Sequence, residues 1–260
     1  MGKNWLKLAA VGLLALAIAG CGGGEKKDAS KPAAKVLRMG AEMTFPPFEF
    51  QDEKTQQYVG FDIDLMKAIG KEMGMDVEVV SMGFDALVPA LQGKNIDVIA
   101  SGMSITPERA KKVAFSKPYY KSGLTIVVKQ DNQTIKGFSD LEGKKIGVQI
   151  GTTSATAAAK IKGATVKEFN ATSDAYMELK AGGVDAVVND LPVNQDYLKK
   201  SGAKDAKMVG EIQDAEDYGI AVDLNNKELV GKIDKALETL KKNGEYEKIY
   251  VKWFGQKPVM

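Results

Sequence analysis

The stretch with the clearest chemical potential is Ala100-Ser-Gly-Met-Ser-Ile-Thr-Pro-Glu-Arg-Ala110. A strand-like segment, Ile96 to Ala100, leads through a loop of small residues into a helix start. Thr106 suits an N-cap, and Pro107 suits the first helical position, where no amide hydrogen is required. Arg109 then falls in the first turn, where the helix dipole disfavours a cation. A guanidinium beside free backbone amides is a receptor for an anion such as a carboxylate. The same residues also admit a plainer reading, a solvated arginine on a surface helix.

Composition removes other chemistries. The 260 residues are 44% hydrophobic and 27% charged but only 7% aromatic, a globular balance long enough for one large domain or two lobes. There is no histidine and a single cysteine. This disfavours zinc sites, cysteine–histidine pairs and serine–histidine triads, and excludes an internal disulfide. The formal charge is +2; without Lys3 and Lys7 the 36 basic residues become 34, against 34 acidic ones. A neutral body with no basic stripe is not expected to bind nucleic acid. No G-x-G-x-x-G and no P-loop occurs, and no cofactor or metal is expected.

Residues 1–20 read as an address. Lys3 and Lys7 precede or flank an apolar run, Leu8 to Ala19, that is short for a bilayer span and ends in Ile18-Ala19-Gly20-Cys21. This resembles a bacterial lipoprotein signal, with cleavage before Cys21 and lipid attached to it. Residues 21–35, three glycines and then a polar run, make a flexible tether. The folded part is therefore expected outside the cytoplasmic membrane, anchored to it by lipid.

The elements that must position Arg109 form two α/β series. The first has strands at Val36–Gly40, Val77–Ser81 and Asp97–Ala100, with helices from Gly60 to about Met73 and over Phe84–Leu91. Pro46 and Pro47 make the segment 41–50 a shaped loop. Asp62 reads as a cap. The pattern predicts a parallel sheet. Leu124–Val128 is a strand, and a second series follows: strand Lys145–Gln149, a small-residue loop Ile150–Ala155 opening a helix to about Lys160, strand Val166–Phe169, helix Ser173–Ala181, strand Val184–Asp190 and a helix from Pro192. Tyr218–Val222 is a late strand, and two helices, Lys227–Lys242 and Glu245–Trp253, break at Asn243-Gly244.

Several of these segments together carry a resemblance: Gly60-Phe-Asp-Ile-Asp64, Phe84-Asp-Ala-Leu-Val-Pro-Ala-Leu91, Ser104-Ile-Thr-Pro-Glu-Arg109, Phe115-Ser-Lys-Pro-Tyr-Tyr120, Asp185-Ala-Val-Val-Asn-Asp190 and Ile249-Tyr-Val-Lys-Trp-Phe-Gly255. Their order and spacing are similar to the polar amino-acid solute-binding proteins of ABC importers, the family of the glutamine- and lysine/arginine/ornithine-binding proteins, over Val36 to Pro258. The resemblance implies an α/β, two-lobed clamp of the type II periplasmic-binding-protein kind. Lobe 1 would comprise 36–121 and 221–260, and lobe 2 would comprise 122–220. Crossing strands near Lys121–Leu124 and Asp217–Ala221 would form the hinge, eased by Gly123 and Gly219.

By position, the resemblance assigns Arg109 to a ligand carboxylate, with Ser104, the loop at Gly102, and the Thr153 amide. Asp190 takes the ammonium; its plainer reading is a helix cap before Pro192. Phe45 and Phe84 flank the ligand side chain, and Glu42 lies near its tip. The glutamine binder has aspartate, lysine and histidine where this chain has Glu42, Gln149 and Asn189. Without that lysine, Glu42 is an uncompensated acid, which favours a basic amino acid, arginine or lysine. Glutamine is the alternative, since Glu42 and Gln149 could both bond a carboxamide. The expected partners are a membrane permease and its ATPase, and the body is expected to be a monomer. An enzyme on the same scaffold, dehydratase-like with Glu42 as acid or base, and a sensory domain acting through a partner are the competing functions.

Overall fold

The computed structural model describes residues 35–202 and 204–258. The expected leader 1–20, Cys21 and all but the last residue of the tether lie outside the described residues. In chain order, β1 (Lys35–Ala41) is followed by three short strands, β2 (Thr44–Phe45), β3 (Glu49–Gln51) and β4 (Tyr58–Val59). Then come α1 (Phe61–Glu72), β5 (Met75–Ser81), α2 (Phe84–Gln92), β6 (Val98–Ile99), α3 (Pro107–Ala110) and β7 (Val113–Phe115). The second series is β8 (Tyr120–Lys129), β9 (Lys145–Gln149), α4 (Thr153–Ala159), β10 (Thr165–Phe169), α5 (Thr172–Ala181), β11 (Ala186–Asp190), α6 (Leu191–Tyr197) and β12 (Ala206–Tyr218). The chain ends with β13 (Ala221–Asp223), α7 (Lys227–Lys242) and α8 (Glu245–Phe254).

Local chemistry explains most boundaries. In α7 the buried Ile233, Ala236, Leu237 and Leu240 follow helical spacing. Asn226 caps its start by accepting from Leu229 N, and Lys241 and Lys242 sit in the last turn, where the dipole favours cations. Gly244, at φ 82°, makes the break before α8. Thr106 caps α3 as its sequence suggests, accepting from Arg109 N at 3.1 Å.

Two five-stranded sheets organise the molecule, ordered β5-β1-β6-β13-β7 and β10-β9-β11-β8-β12. Each has its own buried apolar groups. The expectation of parallel sheets is corrected to mixed ones. β5, β1 and β6 run parallel, as do β10, β9 and β11, but β13 and β7, and β8 and β12, are antiparallel additions. The loop at 41–50 is also more ordered than its prolines suggest, since β2, β3 and β4 pair there as a small antiparallel sheet.

The expected strand Tyr218–Val222 is in fact two. Tyr218 ends the long β12, and after Gly219 and Ile220 the chain enters the other sheet as β13. β8 and β12 leave the second sheet together, pairing Ser122 with Glu216, Lys121 with Asp217 and Tyr120 with Tyr218. A side chain at Gly219 has no room, because its Cβ would lie 2.9 Å from Ile105.

The crossing strands are fixed at one end by an aromatic cluster. The Phe48 ring lies 4.9 Å from that of Tyr120, 5.2 Å from Tyr218 and 5.4 Å from Phe254. One fully buried side chain thus joins the proline loop, both crossing strands and the last helix. Phe48→Ala is expected to cost about 3–5 kcal/mol of unfolding free energy, read from urea denaturation; a loss below 1 kcal/mol would show that these elements do not depend on that contact.

Candidate functional site

The carboxyl ends of β1 and β6, the starts of α3 and α4, and the ends of β9 and β11 converge on one small, nearly filled cavity. Nine of the ten residues singled out from the sequence line it: Glu42, Phe45, Phe84, Gly102, Ser104, Arg109, Gln149, Thr153 and Asp190. Asn189 does not. Strand alternation turns it away from its neighbour Asp190, and its side chain donates to the Tyr176 hydroxyl at 3.3 Å inside the second lobe.

Arg109 is half-buried and spends two guanidinium nitrogens on backbone carbonyls, Ser104 O at 2.8 Å and Gly151 O at 3.1 Å. The second bond reaches the other sheet's loop, so the two lobes meet here. Its guanidinium carbon also stands 5.2 Å from the centre of the Phe84 ring. Burial pulls its pKa down from the ordinary value, with Glu216 and Asp190 pulling it back up. Gly102 sits at φ 51°, and a Cβ there would meet the Phe45 ring at 2.7 Å. Glycine is required both by conformation and by space.

Asp190, at the end of β11, is only 5% exposed and accepts from Ser122 Oγ at 2.8 Å. No lysine or arginine forms an ion pair with it among the described residues. Burial pushes its pKa up to about 7, with the nearby Glu216 charge adding to the rise. It is a carboxyl that lines the cavity, and it receives no capping bond from the helix it precedes.

At the other end of the cavity Glu42 is 7% exposed and likewise without an ion-pair partner. Its Oε2 accepts from Thr44 N at 3.2 Å and Thr44 Oγ1 at 2.9 Å. Burial raises its pKa, and Asp174 adds a like charge. Thr44 Oγ1 also accepts from Thr172 N across the cleft, at 3.0 Å. Gln149 is already engaged in its own lobe: its amide nitrogen donates to Asn170 O at 3.0 Å, and its amide oxygen accepts from Thr172 Oγ1 at 3.1 Å.

At the cavity wall lies a pair of carboxyls that no local sequence pattern announces, with Glu49 lining the cavity and Asp62 behind it. Asp62 is no cap, since its helix follows Gly60 without any side-chain cap. It is fully buried, and its Oδ2 accepts from Gly102 N at 2.8 Å and Tyr119 Oη at 2.7 Å. Glu49, also fully buried, accepts from Ser101 Oγ at 2.8 Å. Their remaining oxygens, Glu49 Oε2 and Asp62 Oδ1, are buried without a hydrogen-bond partner, and the two carboxyls are close enough to influence each other's titration. Two neighbouring buried carboxylates without a cation cannot both ionise, so the pair holds a proton. Burial holds Asp62 up at about 6 and Glu49 well above the usual range, where the Asp62 charge adds to the effect. Together they brace Ser101 and Gly102, the loop that forms the cavity wall.

Other residues at the site were equally unforeseen. Glu216 accepts from Ser104 Oγ and, at 2.8 Å, from Thr153 Oγ1. Thr44 and Thr172 link the lobes near Glu42, and Ser122 holds Asp190. None carries a local signal, because these contacts join residues 63 to 128 positions apart in the chain.

A two-lobed α/β body closed around a small cavity, with a cation on one wall and unpaired acids on others, defines a solute-binding protein. Comparison with known proteins agrees. The family model for bacterial extracellular solute-binding proteins, family 3, matches residues 37–256, and the chain belongs to that family. It is 37% identical over 229 residues to the ABC transporter arginine-binding protein 1 of Escherichia coli (strain K12), covering 86% of this chain and 93% of that one. It is similar to the solved structure of an ancestral arginine-binding protein bound to arginine, with 52% identity, a TM-score of 0.82, and coverage of 84% of this chain and 98% of that chain. It is also similar to that of an ancestral arginine-binding protein bound to glutamine, with 52% identity, a TM-score of 0.80, and coverage of 85% and 98%.

The carboxyl pair makes a pH prediction. Both groups have raised folded-state pKa values, so above pH of about 4 the unfolded chain gives up protons that the folded one keeps. Their contribution to stability therefore falls as pH rises from about 4 through the Asp62 value of about 6 and beyond. Glu49→Gln removes one titrating group while keeping an acceptor for Ser101 and a donor for Asp62. The fall in Tm between pH 4 and 8 is expected to be shallower in this variant; an unchanged slope would show that the pair does not share a proton.

Proposed function

We propose that this chain is the extracytoplasmic receptor of an ABC importer, that it clamps a polar L-amino acid between its lobes, and that arginine, or a similarly basic amino acid, is the preferred ligand. The observation that carries the choice is the charge balance of the cavity. Arg109 is the one cation among its lining residues, and Glu42 and Asp190 stand against it without ion-pair partners. A zwitterion satisfies one charge of each sign: its carboxylate goes to Arg109 with the amides of Ser104 and Thr153, and its ammonium goes to Asp190. That leaves Glu42, buried and near Phe45 and Phe84, for a cationic side chain. A buried carboxylate gains far more from a cation than from a carboxamide. The relatives named for arginine support this reading, and the glutamine-bound ancestral structure keeps glutamine as the weaker alternative.

The role is transport rather than catalysis. The clamp holds an intact amino acid by its two charged ends, and the chain's relatives are binding proteins. In this proposal the crossing strands β8 and β12 bend as the lobes close, and the closed face is presented to a permease coupled to an ATPase. Lipid on Cys21 keeps the receptor beside that permease, and the receptor works as a monomer. Recovery of the ligand chemically unchanged after prolonged incubation separates this from a dehydratase-like activity.

Isothermal titration tests the reading. Arginine is expected to bind at least tenfold more tightly than glutamine. Arg109→Ala is expected to cost about 2–5 kcal/mol of binding for either ligand. Because Asp190 sits at about 7 when free and the ligand ammonium keeps it ionised, binding at pH 7 should release protons, and affinity should rise with pH through about 7. Equal affinity in Arg109→Ala would place the carboxylate elsewhere, and tighter binding of glutamine would overturn the basic-ligand assignment.

A further inference from the structure

Glu216 occupies a place that the clamp described so far does not use. It lies on β12 opposite Ser122, immediately after two register shifts, between Val209 and Gln213 and between Gln213 and Glu216. Asp214 within that irregular segment has φ 48°. Bulges of this sort re-aim the side chains that follow them. Here the Glu216 carboxylate points from the crossing strand to the apex of the cleft. A single oxygen, Oε2, accepts from the hydroxyl of Ser104, in the first lobe, and from Thr153 Oγ1, in the second, at 2.8 Å.

Those two residues are the ones whose amides should receive the ligand's carboxylate. Ser104 pairs with Tyr218 through bonds made by its neighbours, Ile105 N to Asp217 O and Gly219 N to Met103 O, which leaves Ser104 N without a protein acceptor. Thr153 is the first residue of α4, and its N–H lies before the first intrahelical bond. Thr152, the cap, accepts from Ala155 N instead. Neither Ser104 N nor Thr153 N donates to another group among the described residues. In each residue the hydroxyl is committed to Glu216 while the amide remains available.

We propose that Glu216 is the positioning residue of the carboxylate subsite: by taking both hydroxyls on one oxygen, it brings Ser104 and Thr153 into register across the cleft, so that their amides and Arg109 converge on a ligand carboxylate only when the lobes have closed. This rests on the amino-acid clamp reading and deepens it. The arrangement ties recognition to closure. Separation of the lobes must break at least one of the two bonds, because the hydroxyls belong to different lobes and the acceptor is a single atom. The part of the ligand involved is common to all amino acids, so Glu216 acts on affinity in general and not on the choice of side chain. It also supplies the largest favourable charge felt by the buried Arg109, and so supports the guanidinium between ligands.

The test compares the wild-type protein with Glu216→Gln, Glu216→Leu and the double variant Ser104→Ala/Thr153→Val. Each is titrated with arginine and with glutamine, with Tm measured alongside and the radius of gyration followed by small-angle X-ray scattering with and without arginine. Loss of a charge-assisted bond predicts about a ten- to hundredfold weaker binding in Glu216→Leu, by the same factor for both ligands, with incomplete compaction at saturating arginine. Glu216→Gln keeps a carbonyl acceptor of the same length and is expected to recover most of the affinity. Ser104→Ala/Thr153→Val, which retains both amides and Glu216, should lose affinity as Glu216→Leu does, and adding Glu216→Leu to it should change little.

Wild-type affinity in a folded Glu216→Leu would overturn the proposal. So would tighter binding in that variant, which would make Glu216 a competitor of the ligand carboxylate, or a loss confined to one ligand. If Glu216→Leu does not fold, the double variant decides alone: unchanged affinity there overturns the proposal. A wild-type protein that binds neither amino acid would instead sink the clamp reading on which the proposal stands.

Discussion

The structure depends on an imbalance of charge in a small, nearly closed space. Arg109 uses two of its nitrogens to hold backbone carbonyls on both lobes. Asp190 and Glu42 are buried, and among the described residues no lysine or arginine makes ion-pair contact with either. Charges removed from water without a partner are costly, and a folded protein keeps them only where something else will supply the missing interactions. In the proposed function the ligand is that missing component. Its carboxylate, ammonium and side chain would each relieve one group that the protein leaves unsatisfied. The binding energy on this account comes from repairing the cavity's electrostatics, and the aromatic walls of Phe45 and Phe84 shape the space in which the repair is made.

Holding such groups in place requires rigid support, and the support is also polar. Asp62 and Glu49, whose pKa values are raised chiefly by burial, hold Gly102 and Ser101 by hydrogen bonds within the first lobe. This gives the loop a fixed shape while limiting the pair to a single negative charge. The aromatic cluster around Phe48 anchors the crossing strands at the first lobe, while the bulged part of β12 lies toward the second. The pair of strands is thus stiff at one end and irregular at the other, a distribution that allows bending near the cleft without disturbing the first lobe's core.

Much of this was legible in the chain. Thr106, Pro107 and Arg109 act within one turn, so their spacing disclosed both the cap and the cation. The residues of the cavity lie at the ends of predicted elements, where an α/β fold places its ligands. Other features escaped because their causes are distant. Glu216 reaches Ser104 across 112 residues and depends on a bulge that no local pattern announces. Asp62 has the sequence signature of a helix start, but the choice between a cap and a buried acceptor is made by Gly102 and Tyr119. The run Tyr218–Val222 is uniformly strand-like, and only the geometry of two sheets divides it. Asn189 and Asp190 are both buried, on a strand covered on both faces, so burial alone could not say which of them meets the cavity.

The most direct measurement of the central claim is a crystal structure of the protein grown with arginine. The account predicts one arginine in the cavity, its α-carboxylate on Arg109 with Ser104 N and Thr153 N, its ammonium on Asp190, and its guanidinium within 4 Å of Glu42. An arginine bound in the reverse sense, or bound with Asp190 and Glu42 both turned away from it, would contradict the account.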